Sequence, residues 1–345
     1  MSSLAAHINV LKNKKDWHDL LENVGYYDFY HTYDYHHLSK SADETPILIK
    51  YEKEDKIIGL PLLLRKIFDT DYYDITSVYG YAGPIQKNID NAFDNLDFRN
   101  QLQLFFKEQK VVSVFSRLNP LIQNQQEILD GLGEIKKLSQ VVNIDLTLDP
   151  QIQRSLFSKT TKRYINKARK LCSIKSITSK EDISIFMKLY YENMDRVQAR
   201  KSYYFDKDYF YSFINSTDFD TEILCAVHNE TEEVISAAMM VKTNDIIQYH
   251  ISGTLNDYLH LTPIRLLIDE MRIKGTDKKY RYFNLGGGLG SSEDSLFRFK
   301  SSFSKDYKDF KIWRYIVNKE VYKELSATYS NIEEDSDFFP RYRKE

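Results

Sequence analysis

Residues 34–64, DYHHLSKSADETPILIKYEKEDKIIGLPLLL, and residues 208–241, DYFYSFINSTDFDTEILCAVHNETEEVISAAMMV, decide the fold. Each reads as an aromatic-rich helix followed by two apolar runs. A charged turn separates the runs, at 53–56 in one copy and at 229–233 in the other. Apolar runs flanking a short polar turn are the signal of a β-hairpin. Asp34 and Asp208 stand 174 residues apart, Ile47 and Ile223 stand 176 apart, and Gly59 and Ser236 stand 177 apart. Identity between the copies is low, but the order of elements is the same at nearly one offset, which predicts a duplicated unit.

The repeat extends outward from these segments. Asn13 and Ser179 each precede a helical pattern and can accept its free N–H groups. A third strand follows at 73–79 and at 245–252, then a helix at 98–109 and at 263–274, then a strand at 111–115 and at 280–285. Helix, helix, three strands, helix, strand predicts an α/β (α+β) unit with a mixed, mostly antiparallel sheet flanked by helices. The loop 143–153 is the expected boundary. Domains are expected at 1–147 and 148–313, with 314–345 returning to the first.

Composition sets the class. At 345 residues the chain has room for two cores, and 42% hydrophobic with 28% charged residues is the make-up of a folded protein. Tyrosine is abundant, at 26 residues, and can line clefts with ring and hydroxyl together; a coding bias toward Lys, Asn, Ile and Tyr accounts for much of it. The net charge of −2 argues against a general nucleic-acid binder, and no DNA partner is expected. Two cysteines outside any CxxC pair exclude a disulfide framework and a structural zinc site, and no metal is expected. The N-terminal residues lack an apolar signal core, and no run of about 18 apolar residues occurs. The expectation is a cytoplasmic protein without a membrane span, compatible with peripheral association.

Four segments carry candidate chemistry. In 159–170, KTTKRYINKARK, Lys159, Arg163, Lys167 and Lys170 fall on one helical face, either a solvated face or a clamp on phosphates. Gly286 and Gly287 open a glycine-rich turn after a strand, where backbone N–H groups can face an anion or simply make a tight bend. Alternation in Phe297-Arg-Phe-Lys300 reads as a strand that buries both Phe rings and turns Lys300 the other way, where an ammonium can stabilise an oxyanion or simply face solvent. Tyr249 and His250, on the strand 246–252, are candidates for proton transfer, and the alternative for His250 is a satisfied structural role. No P-loop, HExxH or Ser/His/Asp set occurs.

The second half resembles the Fem-type aminoacyltransferases and the related acetyltransferase-like GNAT proteins. The resemblance rests on TKRYINKARK, YYENMDRVQARKSYYFDKDYF, YHISGTLNDYLHLTPIRLLIDEM, YFNLGGG and LFRFKSSFS, taken in order, with Gly80-Tyr-Ala-Gly-Pro84 matching a Gly-Pro turn in the first half. It implies two tandem GNAT-like domains, with the better-preserved motifs in the second. It implies transfer of an acyl group, acetyl in the first instance, to an amine on a small-molecule, lipid-linked or nucleotide-linked cell-envelope glycan or peptide precursor. Lys300 matches a lysine that would polarise the acyl carbonyl, and Arg196 an arginine that would grip a phosphate. Tyr249, Tyr203 and Tyr204 would face the cleft. No cofactor would be tightly bound. The expected co-substrate is acyl-CoA, with aminoacyl-tRNA, as in peptidoglycan-bridge synthesis, the runner-up. A third reading is an inactive GNAT fold kept as a binding protein. Tyr35 and Ser39 stand where Fem enzymes carry Trp and Lys, which weighs against a muramyl-peptide acceptor.

Overall fold

A computed structural model describes residues 7–177, 182–329 and 337–344. The strands and helices, in chain order, are β1 (Ile8–Leu11), α1 (Lys14–Val24), α2 (Tyr33–Ser39), β2 (Glu44–Lys53), β3 (Lys56–Lys66), β4 (Tyr73–Thr76), β5 (Ile85–Lys87), α3 (Leu96–Glu108), β6 (Val111–Arg117), α4 (Gln125–Leu129) and β7 (Glu134–Asp145). There follow α5 (Pro150–Ser155), α6 (Lys159–Leu171), β8 (Cys172–Ile177), α7 (Ile183–Arg196), α8 (Lys207–Asn215), β9 (Asp220–His228), β10 (Val234–Thr243), β11 (Ile246–Thr254), α9 (Ile264–Asp277), β12 (Tyr282–Gly286), α10 (Ser295–Lys300), β13 (Asp306–Ile316) and α11 (Lys319–Tyr329).

The chain forms two compact units, one of Met1–Leu138 with Asp309–Glu345 and one of Ser139–Lys308. In the first, β1, β2, β3 and β4 pair antiparallel in that order, β4 runs parallel to β6, and β13 pairs antiparallel with β6. In the second, β8, β9, β10 and β11 pair antiparallel in that order, β11 runs parallel to β12, and β7 pairs antiparallel with β12. The two units thus repeat one strand pattern. A parallel pair cannot be joined by a tight turn. The crossover is α3 in the first unit and α9 in the second, the helices expected from the repeat.

Local sequence explains these elements. In β2, Ile47, Ile49 and Tyr51 pack on one face with Phe98, Leu102 and Phe106 of α3. Leu48 points to the other face, with Trp17, Leu20 and Leu21 of α1. Both faces are covered, so the apolar run is continuous. Asn13 caps α1, its side chain accepting from the Asp16 N–H at 2.9 Å. Ser179, its expected counterpart, lies outside the described residues.

Two readings change. Residues 143–145, expected in a loop, belong to β7, because buried Val142 and Ile144 pair with Gly286 and Phe283. The segment around Phe297 and Lys300 is helix α10, not a strand: the Asp294 carboxylate caps it by accepting from the Phe297 N–H at 2.8 Å.

Candidate functional site

The parallel pair of the second unit ends early. β11 and β12 are in register only over 246–248 and 282–284. Beyond that rung β11 continues with β10 as far as Thr254, and β12 shifts register against β7 and stops at Gly286. Side chains fix the last rung: buried Asn284 donates from Nδ2 to Oε1 of buried Gln248 at 2.9 Å. Its Oδ1 accepts from the Gly286 N–H at 3.0 Å and so starts the glycine turn. Ligands of open α/β sheets bind beyond the carboxyl ends of parallel strands, where neighbouring strands part.

The turn after β12 is built on small residues. A Cβ on Gly288 would fall 2.0 Å from the Ser292 carbonyl oxygen and 2.5 Å from Asp294 Oδ1. Asp294 closes the turn by accepting from the Leu289 N–H at 3.2 Å as well as capping α10. These amide contacts hold its carboxyl below the ordinary carboxylate range, against the opposing effect of burial, which is the largest single influence.

Lys300, at the last position of α10, is only 8% exposed and turns into the protein. Its ammonium donates to the Gly287 carbonyl at 2.7 Å. It has no ion pair among the described residues. Burial pushes its pKa down to about 8, with Asp294 pulling the other way. A buried lysine with no carboxylate partner is costly to maintain, which marks the position as a functional candidate.

On the strand, Tyr249 and Ser252 share a hydroxyl–hydroxyl bond of 2.5 Å, and burial raises Tyr249 to about 12. His250 is pushed down to about 4 by burial, lies 4.7 Å from the Phe213 ring, and bonds through Nε2 to the Tyr209 hydroxyl at 3.1 Å. It is therefore neutral at physiological pH. Gly253 meets α7 directly: a Cβ there would lie 2.2 Å from the Leu189 carbonyl. That contact brings Arg196 over the end of β11. Its guanidinium donates to the Thr254 carbonyl at 3.2 Å, to Asn256 Oδ1 at 2.9 Å and to Asn193 Oδ1.

Tyr203 and Tyr204 follow α7. The Tyr203 carbonyl accepts from the Tyr190 hydroxyl at 2.8 Å, and the Tyr204 hydroxyl donates to Asp195 at 2.7 Å. Lys159, Arg163 and Lys167 lie on the exposed face of α6, and Gly286 and Gly287 form the turn beneath Lys300. Sequence reasoning missed Gln248, Asn284, Asp294 and Arg265. Arg265 donates to Thr161 Oγ1 at 2.7 Å and Ser302 Oγ at 2.8 Å and lies 4.7 Å from the Phe299 ring. A polar residue inside each apolar strand, and an Asp three positions before Phe297, were the available signals.

The sheet pattern occurs twice, each time with one parallel crossover, and solved structures share the resulting fold. The crystal structure of FemX matches with a TM-score of 0.72 at 11% identity, over 92% of this chain and 99% of that one. A conserved protein of unknown function from Bacteroides thetaiotaomicron matches at 0.58 and 11% identity, over 90% and 99%. The C-terminal domain of a putative lysylphosphatidylglycerol synthetase from Agrobacterium fabrum matches at 0.55 and 12%, over 91% and 94%. No family model and no curated protein matches the sequence.

Proposed function

We propose that the chain is an N-acyltransferase that moves an acyl group from acyl-CoA to an amino group of a cell-envelope glycan or peptide precursor, with its reaction centre at Lys300 and the turn formed by Gly286 and Gly287. The observation that carries this reading is the buried Lys300 ammonium, in no ion pair among the described residues, held where the parallel strands part.

The neutral amine of the acceptor attacks the thioester carbonyl carbon, and the carbonyl π electrons move onto oxygen. Lys300 donates a hydrogen bond to that oxyanion, a charge-assisted contact strengthened by the low dielectric around it. Collapse breaks the C–S bond, and the thiolate leaves with the proton that the nitrogen loses. With a pKa of about 8, Lys300 is protonated roughly ten to one at pH 7, the state this role requires. Tyr249 forms one wall, and Arg196 grips a phosphate of the precursor. The Fem-type fold agrees with transfer to an amine.

Binding of acetyl-CoA and of charged tRNA to the pure protein, followed by transfer to a panel of amines, tests the reading. Binding and turnover with acetyl-CoA support it. Turnover with charged tRNA alone moves the donor, and binding of a glycan with no turnover from either donor defeats it.

A further inference from the structure

The residues 150–177 hold eight Lys or Arg and no Asp or Glu, in a chain of net charge −2, so everything outside this segment carries a net −10. Arg154 pairs with Asp269, and Arg169 pairs with Asp269 and Glu270. Lys159, Lys162, Arg163, Lys167 and Lys170 have no acidic partner among the described residues, and all but half-buried Lys162 are exposed. The preceding helix α5 lies against the same side of α6. Lys162 Nζ donates to the Ser155 carbonyl at 3.0 Å, and Arg154 donates to Asn166 Oδ1 at 2.7 Å. The same helix α5 exposes two aliphatic side chains, Ile152 at 52% and Leu156 at 39%.

We infer that α5 and α6 form a docking face for an anionic phospholipid membrane, on which the protein sits peripherally with Ile152 and Leu156 entering the acyl boundary. Two features favour a membrane over an RNA. Aliphatic side chains gain from burial among acyl chains and gain little from a sugar-phosphate surface. The aromatic ring of the face, Tyr164, is flanked by the Arg163 and Arg265 guanidiniums, 5.2 and 6.0 Å away, instead of standing clear for base stacking. The charge division also favours this orientation, because the basic segment is drawn to an anionic surface while the rest of the chain, at a net −10, is not. The inference does not depend on the acyl-transfer reading.

Co-sedimentation of the full chain with phosphatidylcholine vesicles, with and without phosphatidylglycerol as about a third of the lipid, tests the inference. The expected result is binding to the anionic vesicles at least about tenfold tighter than to the neutral ones, weakening as salt is raised. Lys159→Glu and Lys167→Glu should each cost roughly fivefold or more, since a cation near such a surface is worth about that factor. The pair Ile152→Ser with Leu156→Ser, which leaves the charge unchanged, should weaken vesicle binding about tenfold and leave tRNA retention at its wild-type level. Equal binding to both vesicle types, or wild-type vesicle binding by the serine pair, overturns the inference. Retention on tRNA at concentrations that give no vesicle binding assigns the face to RNA and equally overturns it.

Discussion

The Lys300 ammonium lies 2.7 Å from the Gly287 carbonyl, thirteen residues earlier in the chain. This one bond joins the end of α10 to the turn that follows the parallel strand, so the cation and the backbone that shapes its surroundings are held as a unit. Replacing Lys300 with Met keeps the apolar stem and removes the donor. Turnover with the preferred donor should fall by about 10²–10³-fold, the usual loss for one oxyanion donor. Donor binding should change little, because the contact matters mainly in the transition state. Steady-state kinetics beside a donor titration read the two effects separately; a drop within a few-fold sinks the assignment.

The pH profile gives the sign of the role. In the proposed role Lys300 would stabilise an oxyanion only as the ammonium, so its contribution should be full below about pH 8 and lost as pH rises through that value. A lysine acting as the base would show the reverse, with activity lost as pH falls. A single-turnover pH–rate profile from pH 6 to about pH 9.5 distinguishes the two.

The same depressed pKa predicts a stability effect. Between about 8 and the ordinary lysine value of 10.5 the folded chain binds fewer protons at Lys300 than the unfolded chain does. Unfolding free energy therefore rises with pH across that window, by about 3 kcal/mol in all. Lys300→Met should remove this rise. Urea unfolding of wild type and variant at pH 7.5 and about pH 10 measures it as a difference, in which groups common to both proteins cancel.

Asp294 acts on Lys300 through charge and on α10 through its cap. Asp294→Ala should cost about 1 kcal/mol of stability from the lost cap. It should also move the upper limb of the pH–rate profile to lower pH, because the carboxylate favours the charged lysine. A merely structural cap would lower stability and leave the limb in place.

The sequence displays the elements that local pattern encodes. The runs 47–51 and 57–64 have a β-strand's apolar content, Asn13 shows its cap, and the repeat at about 176 residues emerges because both copies order their elements alike. It hides what depends on distant partners. Phe297-Arg-Phe-Lys300 alternates as a strand would, and only Asp294, read as a cap, turns it into a helix. The burial of Lys300 is invisible because its partner is a backbone carbonyl, to which side-chain spacing gives no clue. Residues 143–145 look like linker because their pairing partners, 282–284, are well over a hundred residues away. Gly253 is legible only as a strand glycine; its close approach to Leu189 belongs to the packing of α7.

Asp269 determines whether α5 and α6 stay in place. It is fully buried on α9 and accepts from Arg154 at 2.9 Å, Arg169 at 3.1 Å and Arg272 at 2.9 Å. Arg272 is itself buried, bonds Gln153 at 3.0 Å and lies over the Phe157 ring at 5.5 Å. Asp269→Asn keeps the volume but leaves the Arg272 charge uncompensated in the interior, so it should cost about 3–5 kcal/mol. Replacing both partners, with Asp269→Leu and Arg272→Met together, removes the stranded charge and should recover a large part of that loss. Equilibrium unfolding of the single and double variants decides the matter. A double variant no more stable than Asp269→Asn would mean that Arg154 and Arg169, not the buried pair, draw most of the stability from Asp269.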